Sequence, residues 1–168
     1  MKGVTEIDPL SDERWARFVE RHPNATVFHT REWLEALCRT YGYTAGVVVT
    51  ADGDDELTDG LVFCRIHSLL TGSRLVSLPF SDHCTPLAET ADQLKCLMSS
   101  ITRRLQTGRG EYLEIRPCGE GQTGDAGLSE CGSYCHHRLD LRPSLGDIYD
   151  AFHGNCIRRK IKRAERAG

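Results

Sequence analysis

No stretch of the 168 residues comes near the roughly 18 consecutive apolar positions that a membrane span requires. Residues Met1 to Leu10 carry no apolar h-region, so a secretory leader is not expected. Without an export signal, the eight cysteines read as reduced thiols of a cytoplasmic protein, not as a disulfide framework. Other absences speak to chemistry. There is no Gly-x-Ser-x-Gly elbow of a serine hydrolase. The glycine-rich stretch Gly119 to Gly127 lacks the Lys-Ser/Thr of a phosphate-binding loop, and Gly108-Arg109-Gly110 reads as a turn. Paired Cys-x2-Cys units, the strongest zinc signature, are missing as well.

What remains is an ordinary globular composition, 39% hydrophobic and 27% charged. A chain of this length can bury roughly two-thirds of its unfolded surface in one domain. The net charge of −3 is unevenly placed, because residues 152–168 hold six basic side chains and one acidic. That leaves −8 on residues 1–151, a balance that points to a local anion site at the C-terminus and not to a general nucleic-acid coat.

Periodicity predicts a mixture of helices and strands. Val4 to Ile7 reads as a first strand, and Ser11 as the N-cap of a helix burying Trp15, Phe18 and Val19. Thr30 caps a second helix with Trp33, Leu34, Leu37 and Tyr41 at helical spacing. Val47-Val48-Val49 and Leu61 to Ile66 form a hairpin across the acidic turn 51–60. Arg74 to Phe80 is a further strand, and Thr90 with Gln93 is a capping box opening a helix striped by Leu94, Leu97, Ile101 and Leu105. Glu111 to Arg116 and His136 to Leu141 read as two more strands, and Ser144 with Asp147 as a second capping box. The last helix has a narrow apolar stripe, Ile157, Ile161 and Ala164, on an otherwise cationic surface, with Gly168 as its C′ residue. The expected class is α/β (α+β), with residues 1–152 as the domain and 153–168 as a basic helix leading out of it.

Three constellations invite a chemical reading. Cys131-x3-Cys135-His136-His137, with Cys118 upstream, has enough zinc ligands by count. Residues 135–137 begin a predicted strand, however, where successive side chains point to opposite faces, so buried thiols are preferred and no metal is expected. The loop Pro79-Phe80-Ser81-Asp82-His83-Cys84-Thr85-Pro86 gathers a carboxylate, an imidazole, hydroxyls and a thiol at the end of a strand. It can be a binding site, or a polar turn whose Ser81 and Asp82 serve the local backbone. Cys84 follows His83 in sequence, yet a nucleophile–base pair requires contact in space. The basic helix offers Arg158, Arg159 and Lys162 to phosphate or carboxylate. It has no interleaved aromatic residue to stack on bases and no Trp, Phe or Leu to enter a membrane.

In order along the chain, Phe28-His29-Thr30-Arg31-Glu32-Trp33-Leu34-Glu35-Ala36-Leu37, Arg74 to Asp82, and Arg158 to Gly168 resemble the N-terminal half of FemAB-like proteins. These are a branch of the GNAT acyltransferase superfamily that includes aminoacyltransferases forming peptidoglycan bridges. The resemblance implies a GNAT-like, mixed, largely antiparallel sheet flanked by helices, and a second GNAT-like domain following Gly168. It implies transfer of an acyl or aminoacyl group from acyl-CoA or aminoacyl-tRNA to the amine of an anionic or phosphorylated acceptor, such as a cell-envelope precursor. Asp82 would then be the catalytic or acceptor-orienting residue, with Ser81, His83, Arg116, Arg158, Arg159 and Lys162 binding substrate. Nucleic acid would enter only as a tRNA-linked donor. The Arg/Gln-x-x-Gly-x-Gly/Ala pyrophosphate loop of acyl-CoA-binding relatives is not found, which places the donor site outside these residues. Other readings are a non-enzymatic GNAT-like binding domain or a truncated, inactive fragment, and a nucleic-acid module using the basic helix.

Overall fold

A computed structural model describes residues 3–51, 53, 55–68, 72–107, 112–119 and 128–167. They fall into two compact units, Met1–Gly132 and Ser133–Gly168. Gly108-Arg109-Gly110, most of the glycine-rich stretch and the C′ assignment of Gly168 lie outside the described residues.

The first unit is built on one five-stranded sheet: β1 (Val4–Ile7), β2 (Thr44–Thr50), β3 (Leu61–Ser68), β4 (Gly72–Ser77) and β5 (Tyr112–Ile115), in that spatial order. The first four strands form an antiparallel meander, and β5 joins β4 in parallel with Ser77 opposite Ile115. The sheet is thus mixed and largely antiparallel, with helices α1 (Glu13–Arg21), α2 (Arg31–Tyr41) and α3 (Ala91–Thr107) around it.

The valine run of β2 is explained by burial on both faces, where no polar alternation is needed. Val47 and Val49 join Trp15, Phe18, Leu34, Leu37, Val62 and Cys64 in one core. Val48, one residue out of phase, joins Leu61, Phe63, Leu75, Leu97, Met98 and Ile101 in the other. Full burial of each such large apolar side chain favours the folded state by about 1.5–3 kcal/mol. The sheet therefore separates α1 and α2 from α3, and the two-sided core makes its register unambiguous.

Local signals set the helix ends. Thr30 caps α2 through the Trp33 amide, and Gly42 closes it at φ 68°, a left-handed conformation that glycine adopts without a Cβ clash. In the capping box of α3, the Gln93 amide donates to Thr90 Oγ1 while Gln93 Oε1 accepts from the Thr90 amide, at 3.2 and 3.0 Å. For α1 the cap is Asp12, not Ser11. Asp8 captures the Ser11 hydroxyl at 3.0 Å and so shifts the helix start by one residue.

The second unit contains α4 (Leu145–Ala151), a π-turn over Gly154–Arg158 and α5 (Arg159–Ala167). Ser144 caps α4 by accepting from the Asp147 amide at 3.2 Å, and its hydroxyl donates to the Asp147 carboxylate at 2.6 Å in place of the reciprocal amide bond of the expected capping box. The strand expected over His136 to Leu141 does not form. This segment is exposed throughout and pairs with no strand among the described residues, so its apolar alternation has no sheet to join. The apolar stripe of the last helix is likewise not buried. Ile157 sits in the π-turn at 41% exposure, and α5 has no buried residue among those described.

Gly60, on the rim of the first core, is fixed by close approach. A Cβ there would sit 2.5 Å from Trp15 Cζ3 and 3.1 Å from Val47 Cγ1. Gly60→Ala should destabilise the protein by about 1–3 kcal/mol, because the fully buried Trp15 cannot retreat. A urea midpoint indistinguishable from that of the parent chain would contradict this packing.

Candidate functional site

Strands β4 and β5 are the one parallel pair of the sheet and are joined by the α3 crossover. Their carboxyl ends lie side by side and feed two neighbouring segments, Leu78 to Glu89 and Arg116 to Gly119. Loops held on a rigid sheet are where binding residues concentrate. Here the antiparallel meander ends and the crossover begins.

The loop after β4 is tied down along its length. It leaves the strand through a cis Ser77–Leu78 peptide, and the Ser81 hydroxyl donates to the Leu78 carbonyl at 2.7 Å. The Cys84 amide donates to the Arg116 carbonyl at 2.7 Å, and the Ser77 hydroxyl to the Cys84 carbonyl at 3.2 Å. Leu87 exchanges both backbone hydrogen bonds with Gly60, at 2.7 and 2.9 Å. The Arg116 guanidinium holds Glu114 at 2.7 Å and reaches the Ser81 carbonyl at 3.3 Å. Arg116 and Ser81, each expected from the resemblance to bind substrate, meet here through the Ser81 carbonyl. Their visible work is to shape the loop, and Ser81 is buried with its hydroxyl turned to the backbone.

Beneath the loop lies His29, only 1% exposed. Its Nδ1 accepts from the Thr26 amide at 3.1 Å, so the ring proton of the neutral imidazole sits on Nε2 and is donated to the Thr85 carbonyl at 3.0 Å. The Trp15 indole donates to the His29 carbonyl at 2.9 Å. One residue therefore links α1, the 3₁₀ turn Val27–His29 and the loop. Burial, first, holds its pKa below the ordinary histidine value. Hydrogen bonds to Thr85 and Thr26 oppose this, and nearby His22 and His83 add to it.

Cys84 Sγ lies 3.5 Å from His29 Nε2, so the imidazole that meets this thiol is His29 and not its sequence neighbour His83. Cys84 is 0% exposed and burial pushes its thiol up to about 12. With one ring nitrogen occupied by Thr26 and the other donating to Thr85, the imidazole has no lone pair for the thiol proton. The pair is packing, not a nucleophile and its base.

The upper surface of the loop is different. Asp82 is exposed. Phe80 is 57% exposed and adopts φ 58°, a left-handed conformation that costs a bulky residue on the order of 1–3 kcal/mol. Its ring stacks on Tyr41 at 4.3 Å, and Tyr41 stacks on Tyr43 at 5.4 Å. A second aromatic series runs from Trp33 to Phe28 to His83 in edge-on contacts of 5.3 and 5.6 Å. Sequence reasoning assigned no site role to Phe80, Tyr41 or Phe28. The residue pair Pro79-Phe80 within a polar run was the available signal.

In the second unit, Arg159, Lys162, Arg163 and Arg166 recur at i, i+3, i+4 and i+7 and are all exposed. They form one cationic stripe along α5. Arg158 is set apart from it, half-buried over the Tyr149 ring at 5.9 Å and 3.7 Å from Asp150.

The fold and this loop define a mixed α+β domain with a rigidly held, carboxylate-bearing loop at the ends of its parallel strands. No protein-family model matches the chain, and a search of curated proteins finds no match.

The state of His29 gives a pH dependence with a definite sign. A histidine kept neutral in the fold takes up a proton more readily once unfolded, so stability is full above the unfolded value of 6.5. It is lost as pH falls from there toward the folded value. His22, also depressed by burial, contributes with the same sign. Chemical denaturation between pH 7.5 and 5 should show falling stability, with a shallower slope in His29→Gln. A parent slope of zero or opposite sign would contradict a neutral His29.

Proposed function

We propose that the chain supplies the acceptor side of a FemAB-like transferase, moving an acyl or aminoacyl group from an activated ester or thioester to an amine. The observation that carries this reading is the loop at the carboxyl ends of β4 and β5, clamped from below by His29 and Arg116 and presenting Asp82 above. It is supported by the mixed, largely antiparallel sheet and by the resemblance in Phe28 to Leu37, Arg74 to Asp82 and Arg158 to Gly168.

In this reading the acceptor amine attacks the donor carbonyl carbon, its N–H proton passes to a base, and the C–O or C–S bond to the leaving group breaks. Backbone amides stabilise the tetrahedral oxyanion. Asp82 orients the acceptor's ammonium group and takes part in removing its proton. His83, half-buried beside Phe28, lines the same loop. In the second unit, taken by itself, Arg159 and Lys162 can hold a phosphate or carboxylate by charge-assisted hydrogen bonds. Arg158 contributes charge and fixes the start of α5 through Tyr149 and Asp150. By the resemblance, the donor, acyl-CoA or aminoacyl-tRNA, binds mainly to a second GNAT-like domain. A cell-envelope precursor in the cytoplasm fits the requirement for an anionic acceptor.

The exposed stripe on α5 favours one second reading, a binding domain that captures a polyanion without transferring anything. Activity separates the two. In the full-length protein, Asp82→Asn should lower kcat of acyl transfer by about tenfold or more while leaving the melting temperature in place. Undiminished transfer would remove Asp82 from the mechanism. The double variant Arg159→Ala, Lys162→Ala should weaken pyrophosphate binding by about tenfold, measured calorimetrically, again without a change in melting temperature. Equal affinity in parent and variant would show that the stripe is only a solvated face.

A further inference from the structure

We propose that His83 and Cys118 form a binding site for a soft divalent metal ion of the zinc class, a role separate from acyl transfer. Both residues belong to the first compact unit and both are half-buried. A ring nitrogen of His83 and Cys118 Sγ lie within 4.8 Å of one another. At ordinary Zn–S and Zn–N lengths and a tetrahedral angle, two such ligands stand about 3.6 Å apart. Closing an interval of that size takes a small side-chain rotation.

The backbones that carry the two ligands are already locked together. Cys84, next to His83, bonds through its amide to the Arg116 carbonyl at 2.7 Å, and the Cys118 amide donates to Thr85 Oγ1 at 2.9 Å. The His83 ring is steadied edge-on by Phe28 at 5.6 Å. Pre-positioning of this kind lowers the ordering cost of binding an ion. The donor set also selects the metal, because thiolate with imidazole suits zinc or cobalt and is poor for magnesium or calcium. As the metal–sulfur bond forms, the Cys118 Sγ–H proton leaves to solvent, so uptake weakens in acid. Two protein ligands leave the remaining positions to water or to an oxygen of a bound molecule. The sequence expectation of no metal was drawn for Cys131, Cys135, His136 and His137 with Cys118 upstream; the present pair shares Cys118 with that set and adds His83.

The test is titration of the reduced, full chain with Co2+, read by absorbance. The expected result is a near-ultraviolet thiolate-to-cobalt band that saturates at one ion per chain. The band should vanish in Cys118→Ser, and His83→Gln should weaken binding by about tenfold or more. Thermal melts of both metal-free variants establish that they fold. Independently of any variant, Zn2+ should slow alkylation of Cys118 in the parent chain, followed by peptide mass spectrometry. Absence of the thiolate band, a band unchanged in both variants, or alkylation of Cys118 at the same rate with and without Zn2+ would overturn the proposal.

Discussion

A single buried imidazole ties the loop after β4 to the core of the first compact unit. His29 has almost no contact with solvent, and each of its polar groups is committed: Nδ1 to Thr26, Nε2 to Thr85, its carbonyl to the Trp15 indole. In a low-dielectric interior an unpaired polar group costs about 1–3 kcal/mol, so these partners constrain one another strongly. The tautomer follows from the Thr26 amide, which can only donate. Because Trp15 is also the centre of the first core, the loop after β4 is coupled directly to the packing of α1 against the sheet.

The loop is therefore rigid underneath and chemically open on top. Below are His29, Cys84, Ser77 and the Gly60–Leu87 pairing, all buried and mutually satisfied. Above are Asp82 and Phe80, the latter held in a backbone conformation that few bulky residues adopt. A surface that spends conformational energy on an exposed aromatic ring beside a carboxylate is better suited to contacting a ligand than to stabilising the fold. The second unit presents a cationic stripe whose four side chains follow helical periodicity, suited to phosphate or carboxylate groups.

Much of the architecture was legible in the sequence because it is written in local terms. The Thr90–Gln93 capping box, the Thr30 and Ser144 caps and the stripe of α3 each depend on residues a few positions apart, and the β2–β3 hairpin on two apolar runs flanking one turn-rich loop. The start of α1 was misplaced by one residue because Ser11 and Asp12 are both good caps, and only the turn at Asp8 decides between them. The strand expected at His136 to Leu141 had the right alternation but no neighbour to pair with among the described residues. For the site, Ser81 was readable as part of the loop, whereas the contact of Arg116 with it, made across 35 residues, was not. His29 was not, since its contacts in the loop, Cys84 and Thr85, lie 55 and 56 residues away and nothing in local spacing announces them. For the same reason Cys84 was set beside His83, its neighbour in the chain, when its neighbour in space is His29.

The most direct test of this account is the protonation state of His29, read from its imidazole 15N resonances in the labelled protein at pH 6. The account predicts a neutral ring carrying its proton on Nε2, at a pH where a solvated histidine is largely charged. An imidazolium at that pH, or a neutral ring protonated on Nδ1, would contradict it, because neither could accept from Thr26 while donating to Thr85.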